Sequence, residues 1–193
     1  MTTFLSEQFW NEHYLLTNTG WDIGHISTPL KEYFDQLESK EIRILIPGCG
    51  NAYEAEYLFK QGFKNVFIID IAEEPIRLFK KRVPEFPDDH IIQGDLFTHV
   101  GEYDLIVEQT FFCAIDPSFR SRYAKKMSEL LSSKGKLVGL LFAVHFENNP
   151  PFGGDLEEYN DVFKPYFRKI RIYPCYNSIE PRKDKELFVS LSN

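Results

Sequence analysis

Ile42-Arg43-Ile44-Leu45-Ile46-Pro47-Gly48-Cys49-Gly50, followed by Val66-Phe67-Ile68-Ile69-Asp70, decides the fold. An apolar, β-branched run ends in a Gly-x-Gly turn. A helix-like stretch from Tyr53 to Gln61 follows, stopped by Gly62, and then a second apolar run ends in a carboxylate. Buried strands separated by a helix belong to a parallel sheet, and glycines at a strand end let backbone approach a ligand closely. An acid at the tip of the second strand can accept hydrogen bonds from two ribose hydroxyls. The pair therefore reads as a nucleotide-type cofactor site at the end of a parallel sheet.

Outward from this pair the alternation continues. Glu73 to Val83 has an acidic start and a basic end, Lys80-Lys81-Arg82, which suits the helix dipole. Short strand patterns follow at His90 to Gln93 and Tyr103 to Glu108. A long amphipathic helix is expected from Pro117 to Ser132, a fifth strand from Lys136 to Ala143, and a helix from Leu156 to Tyr166. Lys169 to Tyr173 and Leu187 to Leu191 are strand-like with no helix between them, so they read as a hairpin. The expectation is an α/β fold: one Rossmann-like domain over 1–193, its mostly parallel, seven-stranded sheet carrying one antiparallel strand, with helices on both faces. Residues 41–193 would form the core. Residues 1–40 would form a helical cap, with Ser6 starting one helix and Thr28-Pro29 a second that runs to about Ser39.

Composition narrows the function. The chain has 193 residues, 43% hydrophobic and 16% aromatic, enough for a packed core. A net charge of −7 argues against nucleic acid as a partner. No apolar run approaches the length of a membrane span, and Met1 to Glu7 lacks a basic patch or signal core, so the cytoplasm is the expected compartment. Three widely spaced cysteines and five unclustered histidines give neither a disulfide framework nor a metal site. The expected partner is a small-molecule acceptor, and the expected state a monomer with no membrane.

In such sheets ligands bind beyond the carboxyl ends of the strands, so the tips are read in order. At the first, Gly48 and Gly50 contact a cofactor or simply make a turn. A dinucleotide fingerprint would need a third glycine where Tyr53 stands, which favours S-adenosyl-L-methionine. At the second, Asp70 binds ribose or caps the next helix, and Ile71 covers adenine. At the third, Asp95 accepts from the adenine amine or makes an Asx turn, with Leu96 or Phe97 on the ring. At the fourth, Glu108 and Gln109 face the methionine end. Phe111, Phe112 and Cys113 then line an acceptor pocket or fill the core. Phe9, Trp10, Tyr14 and Trp21 form a lid that attracts a sulfonium cation, or pack on the sheet. The loop 145–154, with two prolines and two glycines, is a second candidate lid.

The chain resembles the thiopurine, thiol and halide S-methyltransferase family, within the class I S-adenosylmethionine-dependent methyltransferases. The resemblance rests on Phe9-Trp10 with Tyr14, Trp21-Asp22-x-Gly24, Ile46-Pro47-Gly48-Cys49-Gly50, and Thr110 to Pro117 with Arg120. Pro150-Pro151-Phe152 and Glu157-Glu158-Tyr159 extend it to the C-terminal half. It implies cofactor contacts at Trp10, Tyr14, Trp21, Gly48, Asp70, Asp95, Leu96 and Gln109, and Arg120 near the acceptor. Asn51 and Ala52 stand where the family often has small glycines, Glu108 where the halide and thiol branch has Asp, and Gln109 where it has Tyr. The implied reaction is in-line methyl transfer to a soft nucleophile, with Arg120 and Glu108 as candidate catalytic groups and Phe111, Phe112 and Phe152 keeping the pocket dry. Three rivals stand beside it: an O- or N-methyltransferase using Glu108 or His145 as base, a non-catalytic cofactor-binding module, and a dinucleotide oxidoreductase.

Overall fold

The computed structural model describes residues 5–147 and 150–193. Seven strands form one sheet: β1 (Arg43–Pro47), β2 (Asn65–Asp70), β3 (Ile91–Gln93), β4 (Tyr103–Gln109), β5 (Leu131–Phe142), β6 (Lys169–Pro174) and β7 (Glu186–Ser192). Their order is β3-β2-β1-β4-β5-β7-β6. The first five are parallel, and β7 runs antiparallel to both β5 and β6. The expected fold class, strand number and single antiparallel strand are all found.

Strand pleating explains why the central strands read as unbroken apolar runs. Side chains alternate between faces, and both faces are covered. Leu45 and Ile106 pack on one side with α5 (Arg120–Leu130) and α6 (Leu156–Phe163), through Tyr123, Met127, Tyr159 and Phe163. Ile44, Ile46, Leu105 and Val107 pack on the other with α2 (Thr28–Phe34), α3 (Tyr53–Lys60) and α4 (Glu73–Arg82), through Leu30, Phe34, Leu58 and Phe79.

Three helices are shorter than their patterns suggest. α2 ends at Phe34 rather than Ser39, because Gln36 and Leu37 bond back three residues and tighten the chain into turns. α6 ends at Phe163, with Tyr166 bonding to the Phe163 carbonyl. The stretch expected as one helix from Pro117 to Ser132 divides. Asp116 caps a 3-10 turn over Pro117–Phe119, α5 follows, and Leu131 is already extended and pairs with Tyr103 in β4. The fifth strand therefore begins at Leu131, not Lys136.

The N-terminal helix α1 (Glu7–Leu15) starts at Ser6, whose hydroxyl accepts from the Phe9 N–H at 3.2 Å. It lies against α4, where Asn11 Oδ1 accepts the Glu74 N–H at 2.8 Å. α4 begins at Ala72, which has no capping side chain, so α1 supplies that cap from 63 residues away. The Met1 to Glu7 expectation falls partly on residues 1–4, and the 145–154 loop partly on Asn148 and Asn149. Both sets lie outside the described residues.

Candidate active site

β1 and β4 are neighbours in the sheet, and the chain leaves β1 on one side and β4 on the other. Their carboxyl ends, with that of β2, open a cleft of about 440 Å³. That is within the size range of small-molecule sites. The cleft floor is the Gly48 to Ala52 loop, the Asp70-Ile71 tip and the Gly94 to Phe97 turn; Gln109, Thr110 and Phe111 close one side. Trp10, Tyr14 and Trp21 close the top.

The loop after β1 requires its glycines. Gly48 and Gly50 have φ of +55° and +51°, and a Cβ on Gly50 would sit 2.5 Å from the Tyr14 hydroxyl. The Phe111 ring packs where a Gly48 side chain would stand. Asp70 ties the first two tips together. Its Oδ2 accepts from Gly50 N–H and its Oδ1 from Ala72 N–H, both at 2.9 Å. A carboxylate has about four lone-pair sites, so Asp70 keeps acceptor capacity beyond these backbone bonds. Burial raises the Asp70 pKa above the usual carboxylate range. Asp95 Oδ1 similarly accepts from the Phe97 N–H at 2.8 Å. Asp95 makes the Asx turn, whereas Asp70 bonds to the Ala72 N–H just before α4 and does not cap that helix; both carboxylates still line the cleft.

Asp22 joins the top to the floor. It accepts from Gly24 N–H at 2.7 Å, from the Asn51 amide, and from the Tyr53 hydroxyl at 3.4 Å. Trp21 lies edge-on to Trp10 and Tyr14, with ring centres 5.5 and 6.0 Å apart. Its carbonyl accepts from Arg182 Nη2 at 2.6 Å. Asn51 stands in the position noted above for its lack of a glycine, and here it carries the bridge to Asp22.

Gln109 and Glu108 diverge, as neighbours in a strand must. Gln109 Oε1 is buried in the cleft wall with no hydrogen-bond partner among the described residues. Glu108 is fully buried away from the cleft. It accepts from the Phe112 N–H at 3.0 Å and from the Tyr123 hydroxyl, and burial raises its pKa to about 7.

Of the residues singled out in the sequence, Trp10, Tyr14, Trp21, Gly48, Gly50, Asp70, Ile71, Asp95, Leu96, Gln109 and Phe111 come together around this one cleft. Phe112 and Cys113 are in the core behind it, each 0% exposed. Arg120 also stands behind it. Its guanidinium pairs with Glu158, donates to the Phe152 and Gly153 carbonyls at 3.2 and 2.9 Å, and lies over the Phe112 and Tyr159 rings. Phe152 is held there as well, its N–H donating to the Cys113 carbonyl at 2.6 Å. Ile115, Phe119 and Phe142 line the cleft without having been singled out. Phe142 ends β5, so reading the tips one strand further would have found it. Among the described residues, no group of His, Cys, Asp and Glu is placed to hold a metal ion. No described helix is long and apolar enough to cross a membrane.

The lining suits S-adenosylmethionine. Gln109 offers an unused buried acceptor, and the Gly48-Gly50 cradle has no room for side chains. The cofactor presents an ammonium, ribose hydroxyls and an adenine amine as donors, together with a sulfonium cation for the aromatic roof.

Comparison with known proteins agrees. The sequence profile of the thiopurine S-methyltransferase family matches residues 5–190. A probable thiol methyltransferase 2 from Arabidopsis thaliana is 28% identical over 184 residues, covering 92% of this chain and 81% of that one. A thiocyanate methyltransferase 1 from Brassica oleracea is 31% identical over 176 residues, covering 87% and 77%. Among solved structures, magnesium protoporphyrin IX methyltransferase from Synechocystis PCC 6803 with bound SAH superposes with a TM-score of 0.72. The identity is 10%, over 97% of this chain and 100% of that one, which speaks to fold alone.

Proposed function

The chain belongs to the thiopurine S-methyltransferase family, and from that premise we propose that it methylates a small sulfur nucleophile with S-adenosylmethionine as donor. The observation that carries this reading is the cleft itself. One cavity at the strand tips gathers a ribose-type acid, a glycine cradle, an unpaired amide oxygen and an aromatic roof. When bound, the cofactor would supply an electrophilic methyl for a thiolate that has already lost its proton to solvent, the broken C–S electron pair staying with the donor sulfur.

The protein's part is to bind, orient and dry. Asp70 holds the ribose hydroxyls with its free lone pairs, Asp95 the adenine amine, and Ile71 and Leu96 the adenine faces. Gln109 Oε1 takes a donor at the methionine end. Trp10, Tyr14 and Trp21 face the cation. Burial raises the Tyr14 pKa, so its phenol stays protonated. Phe111, Phe119, Ile115 and Phe142 keep water from the acceptor sulfur, and holding the reacting atoms at about 3–3.5 Å supplies most of the acceleration. A thiol with pKa about 8.5 ionises readily, so a strong base is not required.

Glu108 and Arg120 act through other residues rather than on the acceptor. Glu108 fixes the turn that presents Gln109 and Phe111, and Arg120 fixes the Phe152-Gly153 segment. Residues 1–40 serve as the cap over the cofactor, and the enzyme works as a cytoplasmic monomer. The −7 charge supports a small-molecule acceptor over nucleic acid.

The test is product analysis with methyl-deuterated S-adenosylmethionine and two matched acceptors, thiophenol and phenol. Deuterated methyl phenyl sulfide without anisole is the expected result. Anisole as the main product would overturn the reading.

A further inference from the structure

β5 outruns its parallel neighbour. The last pair between β4 and β5 joins Gln109 to Leu140, and β4 ends at Gln109, while β5 continues to Phe142 beside β7. Successive residues of a strand turn their backbone groups to opposite sides. The Ala143 N–H donates to the Lys185 carbonyl at 2.8 Å, on the β7 side. Phe142, one residue earlier, therefore turns its N–H and carbonyl to the β4 side, past the point where β4 has ended. Buried backbone groups left without partners are costly.

Two side chains take the place of the missing strand. Cys113 Sγ accepts the Phe142 N–H at 3.4 Å, and the Tyr159 hydroxyl, from α6, donates to the Phe142 carbonyl at 2.6 Å. Both residues are 0% exposed, and neither lines the cleft. Burial raises the Tyr159 pKa, so the phenol keeps the proton that this bond needs.

What they hold is cleft wall. The Phe142 ring lines the cleft, Ala114 and Ile115 line it just after Cys113, and Pro150 and Pro151 just before Phe152, whose N–H donates to the Cys113 carbonyl. These residues lie on the acceptor side. The cofactor's proposed contacts are at the tips of β1, β2 and β3, at Gln109 and in the aromatic roof.

Resting on the methyl-transfer reading above, we propose that Tyr159 and Cys113 are positioning residues for the acceptor. By standing in for a β4 partner they fix the Phe142 ring, and with it one wall of the acceptor pocket, and they leave the cofactor end alone.

The experiment measures KM for thiophenol and for S-adenosylmethionine, together with calorimetric binding of thiophenol to the enzyme loaded with S-adenosylhomocysteine. Tyr159→Phe keeps the ring against Phe112, their centres now 5.4 Å apart, and loses only the hydroxyl. The thiophenol KM and Kd should rise about fivefold, the worth of one hydrogen bond, with the cofactor KM within about twofold of wild type. Cys113→Ala should show the same split, and Cys113→Ser, which keeps an acceptor for the Phe142 N–H, a smaller one. Phe142→Ala should raise the thiophenol constants by itself. Adding Tyr159→Phe to it should then change them by less than about twofold, because the hydroxyl acts through that ring. Both KM values rising together, effects that multiply in the double variant, or unchanged thiophenol constants in folded Tyr159→Phe and Cys113→Ala would overturn the inference and leave sulfur transfer standing. If the wild type bound thiophenol without methylating it, the sulfur-transfer reading would fall, and the binding constants would still decide the role of Tyr159.

Discussion

Gly50 is the residue with least freedom to change. Its φ of +51° already disfavours a side chain, and a Cβ would meet the Tyr14 hydroxyl at 2.5 Å. Gly50→Ala should therefore displace Tyr14 or the loop. We expect a loss of about tenfold or more in cofactor affinity by calorimetry, with the melting transition lowered but present. Glu108 makes a different prediction. Burial raises its pKa from 4.5 to about 7, so the folded chain holds a proton that the unfolded chain releases over that interval. Its contribution to stability is thus full below about pH 4.5 and is lost as pH rises through about 7. Glu108→Gln keeps an acceptor for the Phe112 N–H and cannot ionise. Melting temperatures across pH 4–8 should fall less steeply toward neutral pH in the variant than in the wild type. Parallel curves would show that Glu108 does not titrate there.

Between elements, the informative contacts are those that bring α1 and the Trp21 segment onto the strand tips. Asn11 caps α4, and Arg182 holds the Trp21 carbonyl. Asn11→Ala removes the cap that α4 lacks on its own, and should cost about 1 kcal/mol in chemical denaturation. The same change should raise the KM for cofactor with little effect on kcat, because it loosens the roof and leaves the acceptor wall in place. Arg120→Met should cost about 2 kcal/mol and raise the acceptor KM, since it frees the Phe152 and Gly153 carbonyls. An unchanged acceptor KM would show that the 150–154 segment does not shape the pocket.

These same contacts mark where the sequence stops being legible. Strand tips announce themselves, because an apolar run that ends in Gly or Asp is local information. Gly48, Asp70 and Asp95 are therefore readable in order. Whether a polar residue faces the ligand or the core is not local. Glu108 and Gln109 adjoin and look equivalent, yet the pleat sends one behind the cleft and the other into it. Arg120 reads as an acceptor-binding cation until its partner Glu158, 38 residues on, is seen beside it. The α4 cap is invisible for the same reason. α5 gives way to β5 at Leu131 because that residue pairs with Tyr103, a partner no local pattern discloses.

At the scale of the whole molecule, the strand order β3-β2-β1-β4-β5-β7-β6 turns seven separate runs into one site. It sets the ends of β2, β1 and β4 side by side, with the chain departing to opposite faces at the β1–β4 boundary. A gap opens there because no connection crosses it. Six of the chain's 29 acidic residues line that gap. The charge is thus a property of the site as well as of the surface. The account depends most on Asp70, which couples the first and second tips and lines the cleft proposed to hold the cofactor.

The measurement that addresses it most directly is the initial rate of methyl transfer to an aryl thiol, with S-adenosylmethionine varied, for the wild type and Asp70→Asn. Asparagine keeps one acceptor oxygen and sets an amide donor against a backbone N–H. The account predicts transfer to sulfur by the wild type, and in the variant a KM for cofactor raised about tenfold or more with kcat within a few-fold. Unchanged cofactor KM in a folded variant, or no transfer to sulfur by the wild type, would contradict it.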